Sequence, residues 1–422
     1  MINNNTRSCR SCWTLAPCLA CVLLPASLPP AASAQWPGWG GPDRNFKADA
    51  QGLSTQWSAG GPTQVWSRDL GAGYSAIAVD QGRLYTMYRK GKKEIVVALD
   101  AETGKTVWEH KYDAFLLKDM DPQFGEGPNA TPLVHEGRVY TLGIAGRLEC
   151  VDKKTGKRIW SNGLVQKLKA TVPEFGFSSS PIAYKDTLIV SAGGKNAGVA
   201  AFDLKTGDLR WRKHDFVNTF SSPIVINVDG EDQLVLLVDR EVVGLDPTTG
   251  DLKWRFPHEN QWKTNISTPV WGDDGLLYVT STGTPGSRAL KLTREGGKTN
   301  VEEVWTNRKS GIGQGNVIRV GDSLYGSRSS GGPAFVTSID AKTGKIAWRA
   351  RGFAQAMMLH ADGKLIILDE DGKLALATPT EKELTVHCQH QLLTKPAWTV
   401  PTLVGKRLYV RDKVKIIALD LG

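Results

Sequence analysis

The sequence has 422 residues, a net charge of +9 and six cysteines, of which only Cys150 and Cys388 lie beyond residue 34. Lys and Arg are scattered and form no stripe, so the charge does not indicate a nucleic-acid-binding protein. Two widely separated thiols make no disulfide framework, and no later segment is long and apolar enough for a membrane span.

Residues 1–34 have the pattern of a secretory signal peptide, with two arginines before an apolar run and a small-residue cleavage site that ends at Ala34. We expect cleavage between Ala34 and Gln35 and a periplasmic or secreted protein. Lipoprotein anchoring at Cys21 is less favoured, because Cys18 stands where a lipobox has leucine.

A Trp- and Gly-rich segment, QWPGWGGPDRN, opens residues 35–63, which we expect to form an N-terminal strap. From residue 64 onward one phrase recurs, as in LDAETGKTVW, which ends at Trp108. Each copy predicts a short strand, a Thr-Gly turn and a second strand that begins near Trp. The Asp before each turn fits a cap of turn amides, since a calcium loop needs several ligands in each copy.

The spacing between the repeated tryptophans predicts the fold. It ranges from 42 to 52 residues, which is typical of the blades of a β-propeller. A tryptophan in this position can pack between neighbouring blades, against the turn of the next copy. The seven structural tryptophans are Trp66, Trp108, Trp160, Trp211, Trp254, Trp305 and Trp348.

Strand pairs such as ATPLVHEGRVYTLG precede the repeated phrases, and weaker pairs begin near Tyr74, Gln314 and Gln355. The last copy is split, because IIALD ends the chain while its outer strand lies around Trp66 near the start. We therefore predict an all-β, eight-bladed propeller of four-stranded antiparallel blades over residues 64–422. Joining strands from the two ends removes exposed sheet edges.

The recurring Asp-x-x-Thr-Gly-x-x-x-Trp phrase resembles the pyrroloquinoline quinone (PQQ) repeat, also called the tryptophan-docking motif, over about residues 64–422. That repeat occurs in quinoprotein alcohol dehydrogenases and in BamB-type propellers of the outer-membrane assembly machinery. The strap and the segment PAWTVPTLVGKRLYVRD are similar to secreted bacterial PQQ-like repeat proteins. The resemblance implies either a quinone enzyme or a platform for protein partners.

Features of the dehydrogenases are missing from the sequence. It has no Cys-Cys pair for a vicinal disulfide and no Cys-x-x-Cys-His haem motif. Because these motifs are missing, the sequence favours a protein without a cofactor, and we expect no PQQ-dependent dehydrogenase activity. Binding of PQQ with calcium is the alternative.

Long loops and inner-strand starts share one face of a propeller, so we expect a polar ligand site at the mouth of the central channel. Solvated loops around a water-filled channel are the alternative. The candidate residues are Asp119, Asp121, Glu126, Asn129, Ser179, Lys195, Ser221, Ser267, Arg288, Gln314, Asn316, Arg328, Gln355 and Trp398. Trp262 or Trp398 could stack on a flat ring.

A metal site is not predicted. Cys388 and His390 share one face of a strand, but His387 points to the other, so strand alternation separates the three. We also identify no catalytic residue.

The favoured function is a non-catalytic, periplasmic or secreted propeller scaffold, monomeric, that binds protein partners of the cell envelope in a BamB-like role. Whether it is an enzyme is left open, with a non-enzyme preferred. The alternatives are a PQQ- or quinone-dependent oxidoreductase and a binder of a small ligand or glycan at the mouth. No nucleic-acid partner is expected.

Overall fold

The computed structural model describes residues 35–118, 120–262, 264–328 and 334–422. These residues form eight separate four-stranded antiparallel sheets arranged as a propeller, which confirms the predicted fold class. The predicted signal peptide and Asp119 lie outside the described residues. Within seven sheets the strands follow chain order from the channel outward, and the eighth joins the two ends of the described chain.

The first four blades follow one another along the chain. Blade 1 has β2 (Ala78–Asp80), β3 (Arg83–Lys90), β4 (Lys93–Asp100) and β5 (Thr106–Asp113); blade 2 has β6 (Leu133–His135), β7 (Arg138–Leu142), β8 (Arg147–Asp152) and β9 (Arg158–Gly163). Blade 3 has β10 (Ile182–Tyr184), β11 (Thr187–Ser191), β12 (Val199–Asp203) and β13 (Leu209–Lys213); blade 4 has β14 (Ile224–Val228), β15 (Glu231–Leu237), β16 (Glu241–Leu245) and β17 (Leu252–Pro257).

The other four blades complete the ring. Blade 5 has β18 (Val270–Trp271), β19 (Leu276–Thr280), β20 (Ser287–Glu295) and β21 (Lys298–Asn307); blade 6 has β22 (Val317–Val320), β23 (Ser323–Arg328), β24 (Phe335–Asp340) and β25 (Ile346–Ala350). Blade 7 has β26 (Ala356–Ala361), β27 (Lys364–Asp369), β28 (Lys373–Pro379) and β29 (Leu384–Gln391); blade 8 has β30 (Thr402–Val404), β31 (Arg407–Arg411), β32 (Lys415–Asp420) and β1 (Thr63–Asp69).

Helix is scarce in the described part of the chain. The helical segments are α1 (Leu164–Leu168) and a 3-10 turn (Arg308–Ser310). No helix among the described residues has the length and apolarity needed to cross a membrane.

Each Thr-Gly turn is built by a carboxylate and a glycine. In blade 1 the Asp100 carboxylate accepts from the Thr103 N–H at 2.9 Å, and Gly104 takes a φ of 68° that side chains rarely adopt. The same carboxylate-to-Thr contact recurs at Asp152, Asp203, Asp246 and Asp340. These aspartates therefore cap turns.

The repeated tryptophan of one blade lies on the turn glycine of the next. The Trp108 Nε1–H donates to the Lys153 carbonyl at 3.0 Å, and a Cβ added at Gly156 would stand 2.5 Å from the indole. Only glycine therefore permits this approach. The same Trp-on-Gly arrangement occurs at Trp66 and Gly104, Trp160 and Gly207, Trp211 and Gly250, and Trp305 and Gly344.

Two tryptophans meet a neighbour that lacks the compact turn. Trp348 donates to the Thr380 carbonyl at 2.9 Å. Trp254 instead donates to Gln233 Oε1 in its own blade at 2.7 Å, and Gln233 donates onward to Thr299 of blade 5 at 2.7 Å. A side-chain amide thus bridges the blade 4–5 junction, where blade 5 has a long hairpin in place of the usual turn.

Blade 8 closes the ring by pairing strands from the two ends of the described chain. β1 runs antiparallel to β32, with Trp66 opposite Ala418. The fully buried Arg411 of β31 reinforces the next junction, because its guanidinium donates to the Gly73, Ser75 and Met87 carbonyls of the blade 1 side. The predicted split blade is therefore observed.

The strap crosses the central channel. Trp36 pairs in a β-bridge with Val79 of blade 1, and Arg44 donates to the Pro181 carbonyl at the start of blade 3. The Ala48 N–H then donates to the His360 carbonyl of blade 7. Because these partners lie on different sides of the ring, the strap occupies the channel between them.

Candidate functional site

A cavity of about 440 Å³ opens at the face where the innermost strands begin. We call it the mouth cup. Its lining residues are Trp39, Tyr74, Phe124, Gly125, Asn129, Glu174, Phe175, Ser178, Phe220, Ser222, Trp262, Thr264, Ile266, Gln314, Gln355, Met357 and Trp398.

Eight of these residues form a ring with one member from each blade. Five stand three positions before the proline that leads into an inner strand, and three stand at the matching position of blades without that proline. Since the inner strands begin at a common level, residues in this register face the channel axis. In blade order the mouth ring is Tyr74, Asn129, Ser178, Phe220, Ile266, Gln314, Gln355 and Trp398.

Aromatic side chains form a continuous arc along one side of the mouth cup. Tyr74 lies 5.2 Å from Trp398 between ring centroids, and Trp398 lies 5.9 Å from Phe124. Phe124 then contacts Phe175 at 4.9 Å, and Phe175 contacts Phe220 at 5.8 Å. Edge and tilted contacts at these distances stabilise the arc beyond the area that it buries.

Amide and hydroxyl side chains cover other parts of the lining. Gln314, Gln355 and Asn129 belong to this polar side, and Asn129 Nδ2 donates to Ser178 Oγ at 3.0 Å. Trp39 of the strap also lines the cup, and its Nε1–H donates to Thr268 Oγ1 at 2.8 Å. Since the strap occupies the channel, Trp39 forms the floor.

Charge is sparse in the lining. Glu174 is its one carboxylate among the described residues, and its side chain is exposed at the rim. The Trp398 Nε1–H donates to Glu370 Oε2 at 3.1 Å. Because Glu370 does not line the cup, this hydrogen bond orients the indole without adding a charge to the lining. Burial raises the pKa of Tyr74, and the nearby Arg411 opposes that rise, so Tyr74 is a neutral phenol at neutral pH.

The structure brings four of the predicted site residues into the mouth cup, namely Asn129, Gln314, Gln355 and Trp398. Four others are buried beside it and do not line it: Ser179, Ser221, Ser267 and Asn316. Ser267 Oγ donates to the Gly315 carbonyl at 2.6 Å, and Asn316 exchanges two hydrogen bonds with the Met358 backbone. Such contacts join neighbouring blades and make the ring of strand starts rigid.

The charged candidates do not converge on the cup. Glu126 pairs with Arg89 at 2.9 Å, and Arg288 pairs with Glu303 at 2.8 Å while covering Phe256. The other described charged candidates, Asp121, Lys195 and Arg328, are exposed. Asp119 lies outside the described residues. The structure therefore does not bring these charged side chains together in the cup.

Most of the aromatic lining was missed. Tyr74, Phe220, Phe175, Phe124 and Trp39 were absent from the predicted site, although Trp262 had been considered for stacking. A positional signal was available, because the mouth ring holds a fixed place before each inner strand. The residue types at that place share no chemistry, so a pattern of polar side chains does not identify them.

The described residues contain no group of three or more His, Cys, Asp or Glu side chains arranged to hold a metal ion. His387 Nε2 lies 2.7 Å from Thr378 Oγ1, while His390 packs on the strap at Gly61. The two histidines thus have separate neighbours.

Comparison with known proteins gives the family. The model described as "Outer membrane protein assembly factor BamB" matches residues 49–127 and 92–350. The quinohemoprotein alcohol dehydrogenase ADH IIB of Pseudomonas putida is 24% identical over 297 residues, which are 67% of this chain and 39% of that protein. The ADH-IIG enzyme of the same species is 32% identical over 152 residues, which are 34% and 20% of the two chains. The chain thus aligns with well under half of the length of these relatives.

Solved structures share the fold. The quinohemoprotein alcohol dehydrogenase of Comamonas testosteroni superposes with a TM-score of 0.65 at 15% identity, covering 93% of this chain and 81% of that one. BamB of Moraxella catarrhalis superposes with a TM-score of 0.58 at 18% identity, covering 85% and 97%.

These findings correct the functional expectation. The matched curated relatives carry the names of dehydrogenases, so the prediction of a non-catalytic scaffold is wrong. The repeat pattern, the eight blades and a family model that matches most of the chain lead to one assignment. The chain belongs to the family of PQQ-like repeat propellers whose model is described as outer membrane protein assembly factor BamB.

Proposed function

We propose that this protein is a quinone-dependent oxidoreductase that binds the quinone ring in the mouth cup and oxidises a substrate of the alcohol class. The observation that carries the proposal is the arc of five aromatic rings from Tyr74 to Phe220, with centroids 4.9 to 5.9 Å apart. Flat conjugated rings bind well against such walls. The dehydrogenase names of the curated relatives support the same class of reaction.

The lining matches part of what the family cofactor PQQ would require. Trp398 and Phe175 offer faces and edges to a planar ring, and the amides of Gln314 and Gln355 can donate to its carbonyl oxygens. A calcium partner is not matched, since the described residues provide no cluster of metal ligands. The proposal therefore rests on a ring held by aromatic contacts and amides.

Glu174 is the candidate base. A bound quinone would supply the acceptor for the two electrons that an alcohol loses on oxidation. The Glu174 carboxylate at the rim can take the proton of the substrate hydroxyl, and no cation of the described lining neutralises it. Trp39 below and the exposed Trp262 also line the cup around this position.

The test is a turnover assay with added quinone, a panel of primary alcohols and an artificial electron acceptor, combined with calorimetric measurement of quinone binding. Glu174→Gln should lower kcat by about 10²–10⁴-fold, the usual contribution of a general base, while leaving the affinity for an uncharged quinone unchanged. Trp398→Ala should weaken quinone binding instead.

The matched control is Glu259→Gln, an exposed glutamate that lies outside the cup lining and should leave both quantities unchanged. A wild-type protein that neither binds a quinone nor turns over any alcohol in the panel would contradict the proposal.

We also propose that the protein acts in the periplasm or outside the cell after removal of residues 1–34. The signal-like sequence of that segment supports this proposal. Mass spectrometry of the exported protein should give a chain that begins at Gln35.

A further inference from the structure

The described lining of the mouth cup lacks the cationic side chains that a site for an anionic cofactor would need. Among the described lining residues there is no Lys, Arg or His, and Glu174 adds a negative charge. Seven of the side chains are aromatic, and the others are mainly aliphatic, amide or hydroxyl groups. The described lining can therefore stabilise an uncharged ring and gives a carboxylate no partner of opposite charge.

Three cationic side chains near the cup already form ion pairs or hydrogen bonds with other groups of the protein. Lys395 pairs with Glu370 at 3.2 Å and with Asp371 at 3.0 Å. Arg89 pairs with Glu126, and the guanidinium of Arg411 is enclosed by backbone carbonyls.

Two further cations approach the cup without lining it. Arg44 donates to the Ser180 and Pro181 carbonyls on the far side of the strap. Lys413 comes near Gly125 at the rim but does not belong to the lining. Neither Arg44 nor Lys413 lines the cup.

An anionic ring would bind at a cost. Each carboxylate moved against Trp398 or Phe175 loses hydration, and burial of a charge without a partner is strongly unfavourable. The Glu174 carboxylate at the rim adds electrostatic repulsion. An uncharged ring of the same shape keeps the stacking and amide contacts and incurs neither penalty.

We infer that the mouth cup selects an uncharged quinone and discriminates against carboxylated or sulfonated ones, including PQQ itself, which is a tricarboxylate. This inference rests on the proposed function, since it names the chemical class of the quinone that the same site takes. A preference for uncharged quinones would distinguish this protein from an enzyme that binds its quinone through Lys or Arg side chains.

The experiment compares two quinones that differ by one charge, 1,4-naphthoquinone and 1,4-naphthoquinone-2-sulfonate, with PQQ as a third ligand. Binding is measured by calorimetry on the chain from Gln35 onward with Cys388→Ser, because the thiols of residues 1–34 and the partly exposed Cys388 can add to an unsubstituted quinone. The neutral compound should bind at least about tenfold more tightly than the sulfonate, the order expected for one unpaired charge in a partly desolvated site.

Two further variants test whether the Glu174 charge causes the weaker binding of the sulfonate. Glu174→Gln should strengthen binding of the sulfonate and leave the neutral compound unchanged, whereas Glu259→Gln should alter neither. Equal or tighter binding of PQQ or the sulfonate would overturn the inference while leaving the proposed function in place. Failure of all three quinones to bind would overturn the inference together with the proposed function.

Discussion

At the scale of single residues, Glu94 of β4 is a carboxylate buried inside blade 1. Its side chain is fully buried, where it accepts from the Tyr112 hydroxyl at 2.7 Å and from the Ile144 N–H at 3.0 Å. Burial raises the pKa of Glu94, although both hydrogen bonds and Arg89 oppose the rise. Ionisation of Glu94 therefore destabilises the folded state.

The sign of the pH dependence follows from that shift. Because the pKa of Glu94 is higher in the folded state, folding is most favourable while Glu94 is protonated, and stability falls as pH rises through the folded pKa. Glu94→Gln removes this loss and keeps an oxygen for the Ile144 N–H. We expect the melting temperature of the variant, relative to wild type, to rise as pH increases above 4.5, the ordinary pKa of a glutamate.

Thermal melts at several pH values measure this difference, with the exposed Glu259→Gln as control. An offset between Glu94→Gln and wild type that stays constant over the whole pH range would contradict the prediction.

The candidate site shows why residue-level prediction from the sequence was incomplete. Trp398, Gln314 and Gln355 were found because they stand where inner strands begin. Tyr74 and Phe220 stand at equivalent places but read as core aromatics in a single sequence. Only the closed ring shows that these side chains converge on one cavity, since each comes from a different blade.

At the scale of structural elements, the docking of Trp on Gly joins neighbouring blades. Gly156 and Gly137 both lie in turns of blade 2 with positive φ, 70° and 77°. A Cβ at Gly156 would meet Trp108 at 2.5 Å, whereas one at Gly137 would meet nothing within 4 Å. The two glycines therefore separate the effect of backbone strain from that of docking.

We expect Gly137→Ala to cost about 1–2 kcal/mol, the usual strain of a left-handed alanine, and Gly156→Ala to cost clearly more because the indole is displaced. Trp108→Ala alone should cost about 3–5 kcal/mol. In the double variant the two losses should be markedly non-additive, since the cavity left by Trp108 accommodates the new methyl group.

Urea denaturation of the wild-type protein and the four variants gives these free energies of unfolding. The two glycine variants could lose equal free energies of unfolding, or the effects of Gly156→Ala and Trp108→Ala could be strictly additive. Either result would show that packing of Trp108 on Gly156 does not stabilise this junction.

At the scale of the whole molecule, stability depends on closing the ring. β1 and β32 come from opposite ends of the described chain, and Arg411 joins blade 8 to blade 1 through backbone carbonyls. This closure was predictable because the split repeat has its outer strand around Trp66 and its other strands, with IIALD, at the end of the sequence. The path of the strap was not, since QWPGWGGPDRN has no strand periodicity and its partners come from several blades.

Deletion of residues 411–422 should therefore open the ring and yield an aggregating or unfolded chain, because β1 and β31 lose their partner and two sheet edges become exposed. Removal of the exposed Gly422 alone serves as the control. Size-exclusion chromatography and thermal melting report the outcome. A truncated protein that stayed monodisperse with the wild-type melting temperature would show that closure is dispensable.

The strap that crosses the channel places Trp39 below the mouth cup, where its Nε1–H donates to Thr268 Oγ1. On the proposed function, a quinone bound against this indole would lie beneath an alcohol that enters from the rim. The alcohol and its product would then exchange above the quinone, which would behave as a prosthetic group without any covalent attachment.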